Sequence, residues 1–524
     1  MTGIVDIFVG LLIAVAVIAL LARKLHIPYP ILFLIGGLLI GLIPELPKVR
    51  LNPELVFLFF LPPLLFPAAL FTSWRDFRAN LRPISLLAIG LVLFTTVVVA
   101  FLAYYFFNLP LAAGFVLGAI ISPPDAIAAT AIAERLSVPR RIVTILEGES
   151  LVNDATALIA YRFAVAAVLG GTFSLADAGL QFVFVSVGGV LTGLAVGWLA
   201  VWFHKRVDDA PIEITVSLLT PFVAYLAAEH VHVSGVLSVV TAGLYIGRRT
   251  PLILSYRTRL QGGPVWSMLE FLLNGFVFIL IGLQLPDILQ TLSQHKDYTI
   301  SQLVGYSLII SVAVIVVRLL WVFPAAYLPR FLSKKVRARD PYPDWRHIVI
   351  IGWTGMRGVV SLAAALALRE TFPGRDLILF LTFMVILATL VVQGLSLPAL
   401  IRWFGIKDDG AAIREEREAR LQANRAALAR LSQVTEHSPA KEDALQRLRI
   451  EYEDHIRQIE GDDEPKNAHT PLRLFASEYE HLSHVALQVE RNTIIELRNA
   501  NVINDDVLRR IQRDIDLAEI RLQA

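Results

Sequence analysis

Apolar residues run in long blocks along the first four hundred positions of this chain, broken by short polar or charged stretches, and most blocks are as long as a bilayer-crossing helix. Reading each block against its breaks predicts about thirteen helices, at 4–22, 29–44, 53–72, 83–107, 110–134, 142–169, 178–203, 212–230, 234–247, 265–286, 302–328, 347–369 and 376–403. Near residue 405 the pattern changes. Leu445, Leu448, Tyr452, Ile456 and Ile459 are spaced by threes and fours, one apolar stripe on a solvated helix. Gly461-Asp462-Asp463-Glu464-Pro465 then breaks the chain before further helical stretches near 474–498 and 503–522. The pattern predicts an all-α polytopic membrane protein with a transmembrane domain over 1–404 and a helical tail over 405–524, a regulatory or dimerisation element.

Composition and charge sharpen this division. The 524 residues are 56% hydrophobic, beyond the usual range for a soluble domain. Residues 405–524 hold 18 basic and 24 acidic side chains, leaving 29 and 21 for the rest, so a basic membrane part carries an acidic tail. Alternating the loops across the membrane places twenty Lys and Arg on one side. Only Lys48, Arg50, Lys296, Arg369 and Arg375 fall on the other. The positive-inside rule then puts the N-terminus outside and the tail in the cytoplasm. The first apolar block has no basic residue before it and Arg23-Lys24 after it, the reverse of a secretory signal, so it reads as a retained span. Cysteine is absent, which excludes disulfides and thiolate chemistry.

Two predicted spans contain sequence that breaks a helix in mid-membrane. One carries Ser122-Pro123-Pro124-Asp125, and the other Gly352-Trp353-Thr354-Gly355-Met356-Arg357-Gly358. Irregular backbone at that depth must line a cavity or lie inside protein, because unpaired amides are costly in lipid. Between these breaks in sequence stands Glu149-Ser150-Leu151-Val152-Asn153-Asp154. Its residues spaced by four predict a polar face that offers a hard monovalent cation the Asp154 carboxylate, the Ser150 hydroxyl and the Asn153 amide oxygen. Freed carbonyls near Pro124 and the Asp125 carboxylate extend that set. A charge at membrane depth marks a functional site, and a buried arginine needs a partner. Arg357 is expected to pair with Glu149, and Arg318 to form an architectural ion pair with Asp125 or Glu149.

The runs Gly118–Asp125, Glu147–Ala157 and Gly355–Ser361 resemble sodium/proton exchangers of the monovalent cation:proton antiporter superfamily, in the branch with an Asn-Asp pair. The resemblance covers residues 1–404. It implies a thirteen-helix fold, usually homodimeric, whose six-helix core moves against a dimerisation domain. It also implies that Asp154 binds cation and proton, that Asn153 and Ser150 are its neighbours, and that Glu149 and Arg357 form the supporting pair. Relatives commonly read Thr-Asp-Pro at the first break. Here Pro124 precedes Asp125 and Ala126 follows it, so a ligand at that point is the Pro124 carbonyl or Asp125 itself.

The function expected is secondary antiport of a monovalent cation, Na+ before K+ or Li+, against H+ in the cell membrane. One carboxylate that holds either ion gives one-for-one, electroneutral exchange, since Asn153 does not titrate. Competing readings are K+/H+ antiport by the same mechanism, a cation channel, or a membrane sensor or scaffold. The chain has no ATP-binding motif, which favours a secondary transporter over a pump. No cofactor, enzymatic reaction or nucleic-acid partner is expected, and the partners are the two ions, membrane lipid and a second copy of the chain.

Overall fold

The computed structural model describes residues 2–25, 27–43, 56–136, 138–170, 175–295, 298–408, 410–433, 439–460 and 476–523. Lys48, Arg50, Lys296 and the 461–465 break lie outside the described residues, and so does the start of the span predicted at 53–72. All regular structure among the described residues is helical. The membrane part comprises α1 (Thr2–Leu25), α2 (Tyr29–Gly41), α3 (Leu61–Phe71), α4 (Trp74–Ala79), α5 (Leu81–Ser85), α6 (Val92–Phe107), α7 (Leu111–Ile121), α8 (Ile127–Arg135) and α9 (Arg140–Gly170). It continues with α10 (Leu175–His204), α11 (Ala210–His230), α12 (Gly235–Ile253), α13 (Tyr256–His295), α14 (Ile300–Leu332), α15 (Lys334–Arg339), α16 (Trp345–Trp353), α17 (Val359–Leu366) and α18 (Arg375–Phe404). Eight of the described helical stretches are long and apolar enough to cross a membrane. The remaining predicted blocks hold shorter or interrupted helices.

Both predicted breaks are present. The block at 110–134 divides into α7 and α8 around the Pro123-Pro124 turn, and that at 347–369 into α16 and α17 around Thr354–Gly358. Side-chain caps start several helices: Asp209 accepts from Ile212 N–H, Ser234 from Leu237 N–H, and Thr299 with Gln302 forms a capping box at α14. The predicted 265–286 span is the middle of a longer helix, α13, because Pro264 and Pro286 are both accommodated inside it.

The membrane helices pack in two groups. In one, α3, α11, α12 and parts of α10 and α13 share an apolar core around Phe66, Ala224, Val239 and Trp266. The other gathers α7, α9, α14, α16, α17 and α18, with buried Leu117, Val314, Leu362 and Phe383. Helix α2 crosses α13 at paired glycines. A Cβ on Gly37 would stand 2.1 Å from Ile279 O, and one on Gly282 2.3 Å from Leu34 O, so neither position admits a larger residue without separating the helices. Helices α1 and α10 leave most of their apolar surface outward, as lipid-facing spans do.

The tail consists of α19 (Ala411–Ser432), α20 (Pro439–Glu460), α21 (Ala476–Asn499) and α22 (Asp505–Gln523). The predicted stripe buries Leu445, Leu448 and Tyr452 against Ala427, Leu431 and Leu482, while Ile456 and Ile459 remain half-buried. The stripe reading passed over α19, whose small alanines supply the surface on which α20 and α21 pack. Helix α22 also meets the membrane part. Trp74 N–H donates to Asp505 at 3.0 Å, Arg75 donates to the Asn501 and Val502 carbonyls at 3.1 and 3.2 Å, and Arg140 pairs with Asp506. On the far side of α22, Arg259 Nε donates to Asp516 at 2.8 Å, and Arg498 donates to the Arg248 carbonyl at 2.9 Å. The acidic tail thus rests on the loops that carry the excess of basic residues.

Candidate functional site

The two helix breaks cross one another. Asp125 N–H donates to the Met356 carbonyl at 2.6 Å, joining one irregular segment to the other. The Asp125 side chain turns back to accept from Ile127 N–H at 2.9 Å and so begins α8. This crossing is so close that a Cβ on Gly358 would stand 1.8 Å from Asp125 Oδ2. Only glycine fits there.

Each break leaves the last carbonyls of a half-helix without amide partners, and an arginine meets each set. At the end of α7, Arg357 donates from Nε to the Ile121 carbonyl at 2.9 Å and from Nη2 to Ser122 at 3.5 Å, and it also bonds the Gly355 carbonyl. At the end of α16, Arg318 donates to the Ile351 carbonyl from Nε at 3.2 Å and from Nη2 at 3.0 Å. Positive charge at a helix C-terminus complements the partial negative charge of the exposed carbonyls. Both guanidinium groups are almost wholly inaccessible.

The expected pairing of Glu149 with Arg357 is corrected here. Glu149 takes Arg318 in a two-pronged bond, with Nη2 to Oε2 at 2.8 Å and Nη1 to Oε1, both side chains 1% exposed. Arg357 makes no ion pair among the described residues. Its fork is spent on carbonyls because the two breaks lie directly against each other, while α14 brings Arg318 alongside α9.

The single polar face expected on α9 divides in two. Consecutive residues of a helix are turned about 100° apart, so neighbours diverge even when residues four apart agree. Ser150 and Asp154 face a cavity of about 470 Å³, which Asp125 and Glu147 also line. Glu149 and Asn153 turn inward to the helix crossing. Asn153 Nδ2 donates to the Pro124 carbonyl at 2.7 Å, and its Oδ1 is buried without a partner among the described residues. The Pro124 carbonyl is therefore held by an amide rather than left bare. Ser150 Oγ accepts from Ala126 N–H at 3.4 Å. Asp154, 8% exposed, has no hydrogen-bond or ion-pair partner among the described residues.

Three residues of the site went unassigned in the sequence. Ser361, on α17, lines the cavity with a buried hydroxyl that has no partner among the described residues. It stands in the Gly355–Ser361 run, which was the available signal. Glu270 also lines the cavity, and a lone carboxylate inside the apolar 265–286 block was signal enough to find it. Thr389, whose Oγ1 accepts from Arg357 N–H at 3.1 Å, has no such mark, being one threonine in an apolar helix. Leu61, Leu65 and Phe71 of α3 and Phe271 of α13 line the cavity together with Ile127, Asp154 and Val359.

Comparison with known proteins gives a consistent result. The profile of the family described as "Sodium/hydrogen exchanger, transmembrane" matches residues 10–403. A sodium/proton exchanger of Mycobacterium tuberculosis is 35% identical over 98% of this chain and 96% of its own length. A sodium, potassium, lithium and rubidium/proton antiporter of Bacillus pumilus is 37% identical over 75% of this chain and 61% of its own. In fold, the sodium proton antiporter MjNhaP1 of Methanocaldococcus jannaschii superposes with a TM-score of 0.61 at 19% identity, covering 76% of this chain and 98% of the other.

Proposed function

We propose, from the premise that this chain belongs to the sodium/hydrogen exchanger family and is thus a multi-pass cation/proton antiporter, that it exchanges one Na+ for one H+ at Asp154. The observation that carries this reading is the buried Asp154 carboxylate, without a hydrogen-bond or ion-pair partner among the described residues, facing a cavity beside two crossed helix breaks. Such a group is neutralised by either a proton or a cation, and the two compete. Ser150 and Asp125, on the same cavity, complete the cation's oxygen shell. Asn153 acts with the Pro124 carbonyl as the brace between α9 and the first break. Glu149 and Arg318 neutralise each other, and Arg357 secures the crossing, so neither arginine competes for Asp154.

Exchange is electroneutral on this reading, because each crossing of the site carries one positive charge. Thr72, Thr130 and Ser267 line the cavity toward the tail side, and on this reading, with the N-terminus outside, that side is the cytoplasm. Transport then requires the wall that bears Asp154 to move past the wall built on α3 and α13. A homodimer is part of this reading, and a native mass of one chain would remove it.

Reconstituted vesicles containing a pH dye provide the test. Addition of Na+ is expected to move protons through the native protein, to move none through folded Asp154→Asn, and to do so at a rate insensitive to an imposed potential. Proton movement retained in Asp154→Asn would take Asp154 out of the mechanism. The name of the Bacillus relative favours a second reading in which K+, Li+ and Rb+ are also carried, and the same vesicles read it by cation replacement.

A further inference from the structure

A second large cavity lies away from Asp154, where α22 of the tail closes against the tail-side ends of α11, α12 and α13. Its volume is about 730 Å³, within the range of pockets for small organic ligands. The wall is largely apolar, with Ile246, Leu254 and Trp266 from the membrane part and Leu508 from the tail. Polar side chains also line it, among them Thr258, Gln512, Asp505 and Asp516. Glu213, near the start of α11, is 1% exposed and its Oε2 has no partner; His204, at the end of α10, is 2% exposed and its Nδ1 has none, in each case among the described residues. Asp505 Oδ1 is a third buried atom there without a hydrogen-bond partner among the described residues; buried polar atoms are normally paired, so these orphans on one cavity point to an occupant.

The chemistry of that occupant follows from the lining. An ionised carboxylate only accepts, so the occupant brings an N–H or O–H donor to Glu213. A bare monovalent cation would leave the apolar wall uncovered. Arg513 also lines the cavity and makes no ion pair among the described residues, whereas Arg259 is engaged by Asp516 and Arg509 by Asp506. The cavity therefore presents an acceptor, an apolar wall and a free cation. It lies at the tail-side ends of α11, α12 and α13.

We propose that this cavity binds a membrane phospholipid with a primary-ammonium headgroup, the ammonium donating to Glu213, the phosphate lying toward Arg513, and the glycerol and upper acyl carbons covering the apolar wall. A lipid held there fastens α22 to the membrane part. The inference is independent of the ion exchanged at Asp154.

The test is native mass spectrometry of the full chain released from bilayers of equal phosphatidylethanolamine and phosphatidylcholine. One ethanolamine lipid is expected to stay on each chain at least about tenfold more often than the choline lipid, whose trimethylammonium has no N–H. Glu213→Gln is expected to reduce that retention about tenfold. Gly263→Phe reads the same site from another wall: Gly263 lines the cavity and a Cβ there meets nothing within 4 Å, so the backbone admits a side chain at that point. Melting curves of both variants report folding, and the headgroup comparison on the native chain stands without them. Equal retention of both lipids, retention unchanged in the folded variants, or displacement by free phosphoethanolamine would each overturn the proposal, the last by assigning the site to a soluble ligand.

Discussion

Asp154 is legible in the sequence because a carboxylate deep in an apolar helix has few other reasons to be there. Its neighbours are less so, since Glu149 and Asn153 share the helix with Ser150 and Asp154 yet turn away from the cavity toward the helix crossing. Arg318 and Arg357 have equal credentials in sequence, each a lone arginine in an apolar block. Only the closeness of α14 to α9 gives Glu149 to Arg318. Arg318→Ala is accordingly expected to destabilise the fold by about 3–5 kcal/mol, since it strands a buried carboxylate. Arg318→Ala with Glu149→Gln should recover part of that loss, and thermal unfolding in detergent measures both. Gly358→Ala is expected to abolish exchange in a folded protein, because a methyl there occupies the place of the Asp125 carboxylate. Exchange at the native rate in that variant would show that Asp125 need not stay where it is.

At the scale of helices, two prolines and three glycines announce the breaks, but not what satisfies the carbonyls they free. Those partners come from distant segments, Arg318 for α16 and Arg357 for α7, and spacing along the chain carries no information about them. The tail helices show the same limit. Their apolar stripe predicts that they pack, while the polar contacts between them are set by the packing itself. Glu490 on α21 is an example: burial pushes its carboxyl up to about 7, against the opposing influence of a hydrogen bond from Tyr452. A carboxyl raised above its unfolded value of 4.5 gives stability that is complete below pH 4.5 and lost as pH rises through about 7. The protection of α20 and α21 amides in the full chain, after division by the base-catalysed intrinsic exchange rate, is therefore expected to fall from pH 5 toward pH 8. Glu490→Gln should flatten that dependence; an unchanged profile would assign it to another group.

For the whole molecule, the consequential fact is that α22 touches both α9 and α13. Its Asp506 holds Arg140 at the start of α9, the helix that bears Asp154, and its Asp516 holds Arg259 at the start of α13. If the two groups of helices move past each other during exchange, one of these contacts must let go in each cycle. Cysteines at Arg140 and Asp506, introduced into a chain that has none of its own, can be bridged by a short cleavable thiol reagent. Bridging is expected to slow exchange at least about tenfold, and cleavage to restore it. An exchange rate indifferent to the bridge would mean that tail and α9 travel together.

The sequence by itself determined the membrane class, the placing of most helices, the two breaks and the presence of a carboxylate deep in an apolar helix, because hydrophobic periodicity, helix-breaking residues and misplaced charge are local properties of a chain. The resemblance carried by its motifs reached the family for the same reason. The tertiary structure decided which arginine Glu149 holds, that Asn153 braces the Pro124 carbonyl, that Ser361 and Glu270 share the cavity with Asp154, and where the tail docks. Each of these depends on the distance and rotation between helices far apart in sequence, quantities fixed only when apolar faces and glycine contacts have packed.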